Sequence, residues 1–435
     1  MGSGGRFLMN SADASEKTWF GQPRGLTVLF LTNMWEQFSY YGMRALLVYY
    51  MTKELLFSQG HASLVYGAYT ATAYFTPIFG GVIADRYLGK RRAILIGGSI
   101  MALGHFMMTF EGLLYPALTT IALGNGLFLP SLPSQIDDLY NKGDPRVGWA
   151  YNVYYVGVNI GGFLAPLICG TLGEIYGWHW GFGAAGIGMG AGLAIYVWGQ
   201  RYLPEQARGT SEMARMPLIK TFSHFPREVL LLLSAIALSV VVFRGAYEQV
   251  GNTVALWADT GVDRQAGLFE IPMTWFQSLN PLMVMLITPP LLGWWRRRSE
   301  SGAREHPARK MAFGALVVGA AYLMLAALDA MGSPTHWLWL AAFFVIFTFG
   351  ELYILPTGLG LFARLAPAGL GATTVALWYL TIFAGSLSAG MVGTLWSEMD
   401  SAAYFLMLAA IAAVSAMLLR AIDPTELRIE KRQRE

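Results

Sequence analysis

Five ionisable residues lie within stretches that are otherwise apolar and long enough to cross a bilayer: Glu36, Arg44, Arg244, Glu248 and Glu351. Ionisable groups at membrane depth are expensive, and their default reading is functional. Asn33, Gln37, Tyr40 and Arg44 fall at i, i+4, i+7 and i+11, which places them on one helix face with Glu36 at its margin. Such a polar stripe must line a cavity or a partner helix rather than lipid. Arg244 and Glu248 are spaced i, i+4, and Asn252 follows four later. That spacing suits a local ion pair on a helix surface as well as a binding or gating group, and both readings stand. The five groups are three acids and two bases. An unpaired carboxylate in low dielectric tends to take a proton, so the odd acid is a physical candidate for proton coupling. Asp85 differs: it sits at a helix end beside Arg86 and is expected to belong to a structural gate.

Other chemistries find little support. Ala84 to Lys90 approaches a phosphate-binding loop, but Arg91 stands where a Ser or Thr should meet magnesium, and no strand precedes it. The six histidines show no metal-ligand spacing. No Ser/His/Asp arrangement is recognisable. The single cysteine, Cys169, allows no internal disulfide and lies in an apolar run, where it reads as a small buried hydrophobe. The expectation is therefore neither an enzyme nor a cofactor or metal protein. No nucleotide-binding domain is present, so a carrier driven by a gradient is simpler than an ATP-driven pump.

The elements that must position these residues are helices in a membrane. Of 435 residues, 55% are hydrophobic and only 13% charged, against about 25% charged in a soluble domain. Mean hydropathy is +0.44. A net charge of +3 is too small to imply a nucleic-acid partner. A bilayer core needs about 20 apolar residues per helix. The sequence offers twelve such runs, at 27–51, 62–82, 93–114, 115–134, 147–170, 181–199, 229–253, 275–295, 311–331, 336–363, 372–394 and 402–422. The first 24 residues are polar and lack the apolar core of a signal peptide. With the N-terminus inside, all 30 lysines and arginines except Arg44, Lys53, Arg244 and Arg264 fall in cytoplasmic segments, as the positive-inside rule requires. The predicted organisation is a cytoplasmic tail (1–26), a six-helix bundle (27–199), a charged cytoplasmic linker (200–228), a second six-helix bundle (229–422) and a cytoplasmic tail (423–435). This all-α membrane protein has the layout of a major facilitator transporter, with two bundles around a midplane site. Gly98, Gly104, Gly161 and Gly162 permit close helix packing.

The motifs resemble those of the proton-dependent oligopeptide transporter (POT) family of the major facilitator superfamily. Asn33-Met-Trp-Glu36-Gln37-Phe-Ser-Tyr40-Tyr41-Gly42-Met-Arg44 is similar to the family's E-x-x-E-R-F-x-Y-Y-G-M-R. Gly80-Gly81-Val-Ile-Ala-Asp85-Arg86-Tyr-Leu-Gly89-Lys90 resembles the helix 2–3 signature, and Tyr154-Tyr155-Val-Gly157-Val-Asn159-Ile-Gly161 the F-Y-x-x-I-N-x-G signature. Tyr247-Glu248-Gln249, Phe276-Gln277-Ser278-Leu279-Asn280-Pro281 and Gly350-Glu351-Leu352 match the second half. Two departures stand out. The first glutamate and the arginine of the helix-1 motif are Asn33 and Gln37, and the helix-4 lysine is Leu129. In the family that arginine and lysine are associated with the peptide carboxylate and with proton coupling. Arg244 stands where the family usually has an aromatic residue.

The resemblance implies that Glu351 receives a substrate amine. It implies that Tyr40, Tyr41, Tyr74, Asn159 and Asn280 line the pocket, with Asn33 and Gln37 on the same face. Arg44 and Glu248 would pair across the halves as an external gate, with Arg244 and the Asp85–Arg86 turn as further gate elements. Glu36, having lost its arginine neighbour, is the leading candidate for proton coupling, and Glu248 is the other. His105 matches a family G-H pair, but a packed neutral ring is the expected role. The expected protein is a monomeric, multi-pass transporter of a bacterial inner or plasma membrane. It would move peptides or peptide-like, amine-bearing solutes with protons by alternating access. A non-peptide or uncoupled carrier or exporter, and a receptor that kept the fold but lost transport, are the competing readings.

Overall fold

The computed structural model describes residues 21–141, 144, 146–204, 226–301, 306–332, 334–365 and 371–434. Most of the expected N-terminal tail and of the linker at 200–228 lies outside these. Among the described residues, twelve long helices follow in chain order. The first six are α1 Arg24–Tyr49, α2 Gln59–Ile83, α3 Lys90–Met107, α4 Leu114–Ser131, α5 Val147–Ala165 and α6 Trp178–Gly199. The second six are α7 Arg227–Tyr247, α8 Leu279–Glu300, α9 Pro307–Asp329, α10 Trp337–Arg364, α11 Gly371–Thr394 and α12 Ser401–Arg434. Among the described residues, eight segments are long and apolar enough to cross a membrane. The remaining helices, α1, α2, α3 and α8, are diluted by the polar stripe, by glycines, threonines and tyrosines, or by terminal arginines.

The ends of these helices have local causes. Pro23, which lacks an N–H, precedes α1. The Ser58 side chain accepts from the His61 N–H at the start of α2. Gly89, at φ 76°, makes the sharp turn between α2 and α3 that a side chain would strain. Several expected boundaries shift, and the last helix runs on to Arg434 rather than ending at 422. The third run does not continue to 114: α3 ends at Met107, and Thr109 and Phe110 turn back on Phe106 and Met107 before α4 begins. The eighth run begins as tighter 3-10 turns over Met273–Ser278, after Pro272. The seventh run is broken rather than continuous. Glu248–Gly251 tightens into 3-10 turns, Asn252 leaves helical geometry at φ −120° and ψ −93°, and the helix resumes over Thr253–Thr260.

Helices α1 to α6 pack mainly among themselves, as do α7 to α12; α2 meets α11 and α5 meets α8 across the two sets. Each set has its own apolar core. One is built around Phe243, Tyr322, Phe343 and Phe347, the other around Met43, Leu46, Tyr50 and Phe182. The ends of the bundles away from the Gly89 turn are called the outer end below. There, β1 (Val262–Asp263) pairs in parallel with β4 (Thr335–His336), and β2 (Gln265–Ala266) forms a hairpin with β3 (Phe269–Glu270).

Small residues set the closest approaches. A Cβ on Gly97 would stand 2.6 Å from the Gly124 carbonyl oxygen, and one on Gly67 would stand 2.7 Å from the Gly390 nitrogen. The second contact joins α2 to α11, across the two sets, so the two sets can separate there only by breaking it. Gly67→Leu is expected to wedge this crossing open, because backbone cannot yield as a flexible side chain can. Labelling of a Ser63→Cys reporter by a membrane-impermeant maleimide from the outer end should rise in the Gly67→Leu protein.

Candidate functional site

The break after α7 leaves Glu248 at a helix end in the interior, 2% exposed. The polar side chains that follow it are hydrogen-bonded. Gln249 donates to the Gly245 and Ala389 carbonyls at 2.9 and 2.8 Å. Ser63 of α2 donates to the Asn252 Oδ1 at 3.1 Å, and Thr253 donates to the Gln249 Oε1 at 3.1 Å. Two guanidinium groups then meet the one carboxylate. Arg44 of α1 bonds its Oε2, and Arg244 of α7 bonds its Oε1. Both expected contacts are thus present at once: the local i, i+4 pair with Arg244 and the pair with Arg44 between the two helix sets.

Each arginine has a further partner. The Arg44 Nε donates to the Tyr66 hydroxyl at 2.6 Å, and the guanidinium lies 5.5 Å from the Tyr66 ring centre. Arg244 donates to the Ser386 Oγ at 3.3 Å and faces the Tyr74 and Tyr247 rings at 5.8 and 5.4 Å. Gly385 makes room for it, since a Cβ there would stand 2.7 Å from that of Arg244.

Beside this triad, Tyr41, Arg44, Tyr247, Gln277, Asn280 and Phe347 line a cavity of about 50 Å³. That is far below the roughly 300 Å³ of the smaller ligand pockets, so a solute enters only if the walls separate. Glu351 lies behind the wall. Its two oxygens accept from the Tyr247 hydroxyl at 2.8 Å and from the Asn280 Nδ2 at 2.6 Å. Asn280 is held in turn by the Thr348 Oγ1 at 3.0 Å. A carboxylate has about four lone-pair positions, and these two donors leave capacity for an ammonium group.

A second cluster sits nearer the inner end. Gln37 donates to the Glu36 Oε2 at 2.7 Å, and Asn33 donates to the Tyr154 carbonyl at 3.3 Å. Glu36 is 2% exposed, and no Lys or Arg lies within ion-pair distance of it among the described residues. Tyr40 stacks on Tyr69 at 6.4 Å and meets Tyr41 edge-on at 5.3 Å; Tyr74 stacks on Tyr379 of α11 at 6.4 Å. Asn159 is engaged within its own helix, donating to the Tyr155 carbonyl at 2.9 Å. His105 is fully buried, and neither ring nitrogen has a protein partner, as suits a packed neutral ring. Asp85 and Arg86 are exposed on the inner turn before Gly89, away from both clusters. Next to them, Lys90 ties α3 to the end of α4 through Asp138 at 2.7 Å and the Ser134 carbonyl at 2.8 Å.

Tyr66, Tyr247 and Ser386 are site residues that sequence reasoning did not single out. Tyr247 had a signal, adjacency to Glu248 in a recognised motif; Tyr66 and Ser386 had none beyond being polar in apolar helices. A row of bonds that close the outer end was also missed. Glu174 accepts from the Met273 and Thr274 N–H groups at 3.0 and 2.9 Å. Trp275 donates to the Thr171 Oγ1 at 2.7 Å, and Lys53 pairs with Asp259 at 2.7 Å. All of these join the first helix set to the second.

A family model described as POT family matches residues 91–225 and 213–411. The chain is 31% identical to the uncharacterized transporter YclF of Bacillus subtilis (strain 168), over 96% of each chain. It is 31% identical to a di-/tripeptide transporter of Lactococcus lactis subsp. cremoris, over 86% of this chain and 89% of that one. A crystal structure of a peptide transporter POT in complex with sulfate superposes with a TM-score of 0.85 at 28% identity, covering 95% of this chain and 97% of the other. With its helices in two sets of six and its buried charges where those sets meet, the chain is an integral, multi-pass membrane protein with the major facilitator fold, and it belongs to the POT family of transporters.

Proposed function

We propose that the protein is a proton-coupled secondary transporter of peptide-like, amine-bearing solutes, working by alternating access as a monomer with both termini cytoplasmic. The observation that carries the substrate class is the charge of the two clusters. Among the described residues, Glu351 and Glu36 are both held by neutral donors, and Gln37 and Leu129 occupy the positions where the family has cations. An amine fits against Glu351. A free carboxylate finds no cation at the Glu36 end. The named peptide transporters among the relatives support peptides as the parent chemistry. The lysine and arginine distribution supports the orientation.

In this reading Arg44 and Glu248 are the external gate, and the Asp85–Arg86 turn serves at the inner end. Tyr41, Asn280 and Tyr247 wall the amine site. Tyr40, Tyr74 and Asn159, with Asn33 and Gln37, wall the remaining pocket. Protons enter at Glu36, the buried acid without an arginine.

Three outcomes test this reading. In competition binding to the purified protein, a dipeptide amide should bind at least as well as its parent free acid; a strong preference for the free acid would transfer the carboxylate to Arg44 or Arg244. Glu248→Gln leaves two arginines without their counter-ion, and breaking a buried pair from one side costs about 3–5 kcal/mol. That variant should populate the outward-open state and transport at a small fraction of the normal rate in proteoliposomes. Glu36→Gln should abolish proton-driven accumulation while solute exchange continues. Accumulation that still follows the pH gradient would remove Glu36 from the mechanism and turn attention to Glu351 or an uncoupled carrier.

A further inference from the structure

The gate glutamate has one partner too many for a simple switch. Arg44 lies on α1 and must part from Glu248 when the outer end opens. Arg244 lies four residues before Glu248 on α7, so that pair travels as one body. Arg44 likewise carries its own partner, Tyr66 of α2, within the first helix set. Opening therefore converts one three-membered cluster into two partnered groups, Arg44 with Tyr66 and Arg244 with Glu248. No carboxylate is left bare.

We infer that Arg244 is a positioning residue that keeps Glu248 ionised and paired when the gate opens, so that the outer end opens without a proton on Glu248. The inference rests on the alternating-access reading above. With an aromatic or aliphatic residue at this position, Glu248 would lose its only cation on opening and would have to take a proton first.

The groups around Glu248 are consistent with this. Arg44 of α1 bonds it, and Tyr40 of α1 and Tyr66 and Tyr74 of α2 lie within electrostatic reach of it. Arg244 of α7 bonds it, and Tyr247 of α7, Tyr322 of α9 and Glu351 of α10 lie within electrostatic reach of it. The tyrosines stay neutral over the working pH range. Arg244 is thus the one cation in this set that stays with Glu248 in both states.

The test is a spin-label distance across the outer end, between Glu111→Cys and Glu398→Cys, which are exposed on the two helix sets; the native Cys169 is buried. The protein is studied in lipid nanodiscs in a Glu36→Gln background, which removes the proposed coupling proton. In that background the outer-open fraction should stay flat from about pH 8 to about pH 5. Adding Arg244→Leu should make it rise about tenfold over that range, and adding Glu248→Gln to that variant should flatten it again. Arg244→Lys, which keeps the charge, should stay flat. Arg244→Gln, which can still bond Ser386, serves if the leucine variant does not fold. The inference is overturned if the Glu36→Gln protein itself shows the Glu248-dependent rise, or if neither uncharged variant responds to pH. A failure of the coupling reading shows separately: proteins with and without Glu36 would then respond to pH alike.

Discussion

One carboxylate between two guanidinium groups is the interaction on which the arrangement depends. A charge in the low-dielectric interior persists only if it is paired and hydrogen-bonded, and Glu248 meets that requirement from both sides of the molecule. Its position follows from a backbone event. The helix that begins at Arg227 breaks at Asn252, and the tightened turn before the break presents the carboxylate to α1. Side-chain bonds among Gln249, Ser63, Asn252 and Thr253 hold the break in place, and Gln249 also caps the Gly245 carbonyl. Close packing at Gly67 and Gly390 then brings the two helix sets near enough for Arg44 to reach.

The same rule explains the two acids outside the triad. Glu351 is stabilised by Tyr247 and Asn280, and Glu36 by Gln37. These are neutral donors, and each hydrogen bond to a charged group contributes about 1.5–3 kcal/mol, less than an ion pair in the same place can provide. Both acids can therefore accept further positive charge, which in the proposed reading is a solute amine at Glu351 and a proton at Glu36. Tyr247 links the two regions: its hydroxyl bonds Glu351 while its ring faces Arg244. In the proposed reading, solute binding at Glu351 and the state of the gate would thus act on a shared side chain.

Much of this was legible in the sequence, for identifiable reasons. Helix number followed from apolar runs and the lysine and arginine alternation, both of which are averages over many residues. The ionisable residues were visible because each interrupts such a run. Pairing was not legible. The i, i+4 spacing of Arg244 and Glu248 allowed a local pair or a gating role, and that spacing says nothing of the Arg44 pair that forms beside the helix break at Gly251-Asn252. The joints at Glu174, Lys53 and Trp275 were hidden because polar residues near helix ends are ordinary. The early end of α3 was hidden because the turn at Thr109 and Phe110 carries neither proline nor glycine.

The central claim is that these buried charges belong to a gradient-driven carrier and not to a static receptor. It is tested most directly by reconstituting the purified protein in sealed liposomes and following a radiolabelled dipeptide amide under an imposed inward proton gradient. The account predicts accumulation above the external concentration that collapses when a protonophore is added. Saturable binding without entry, or entry that stops at equal concentrations and ignores the gradient, would contradict it.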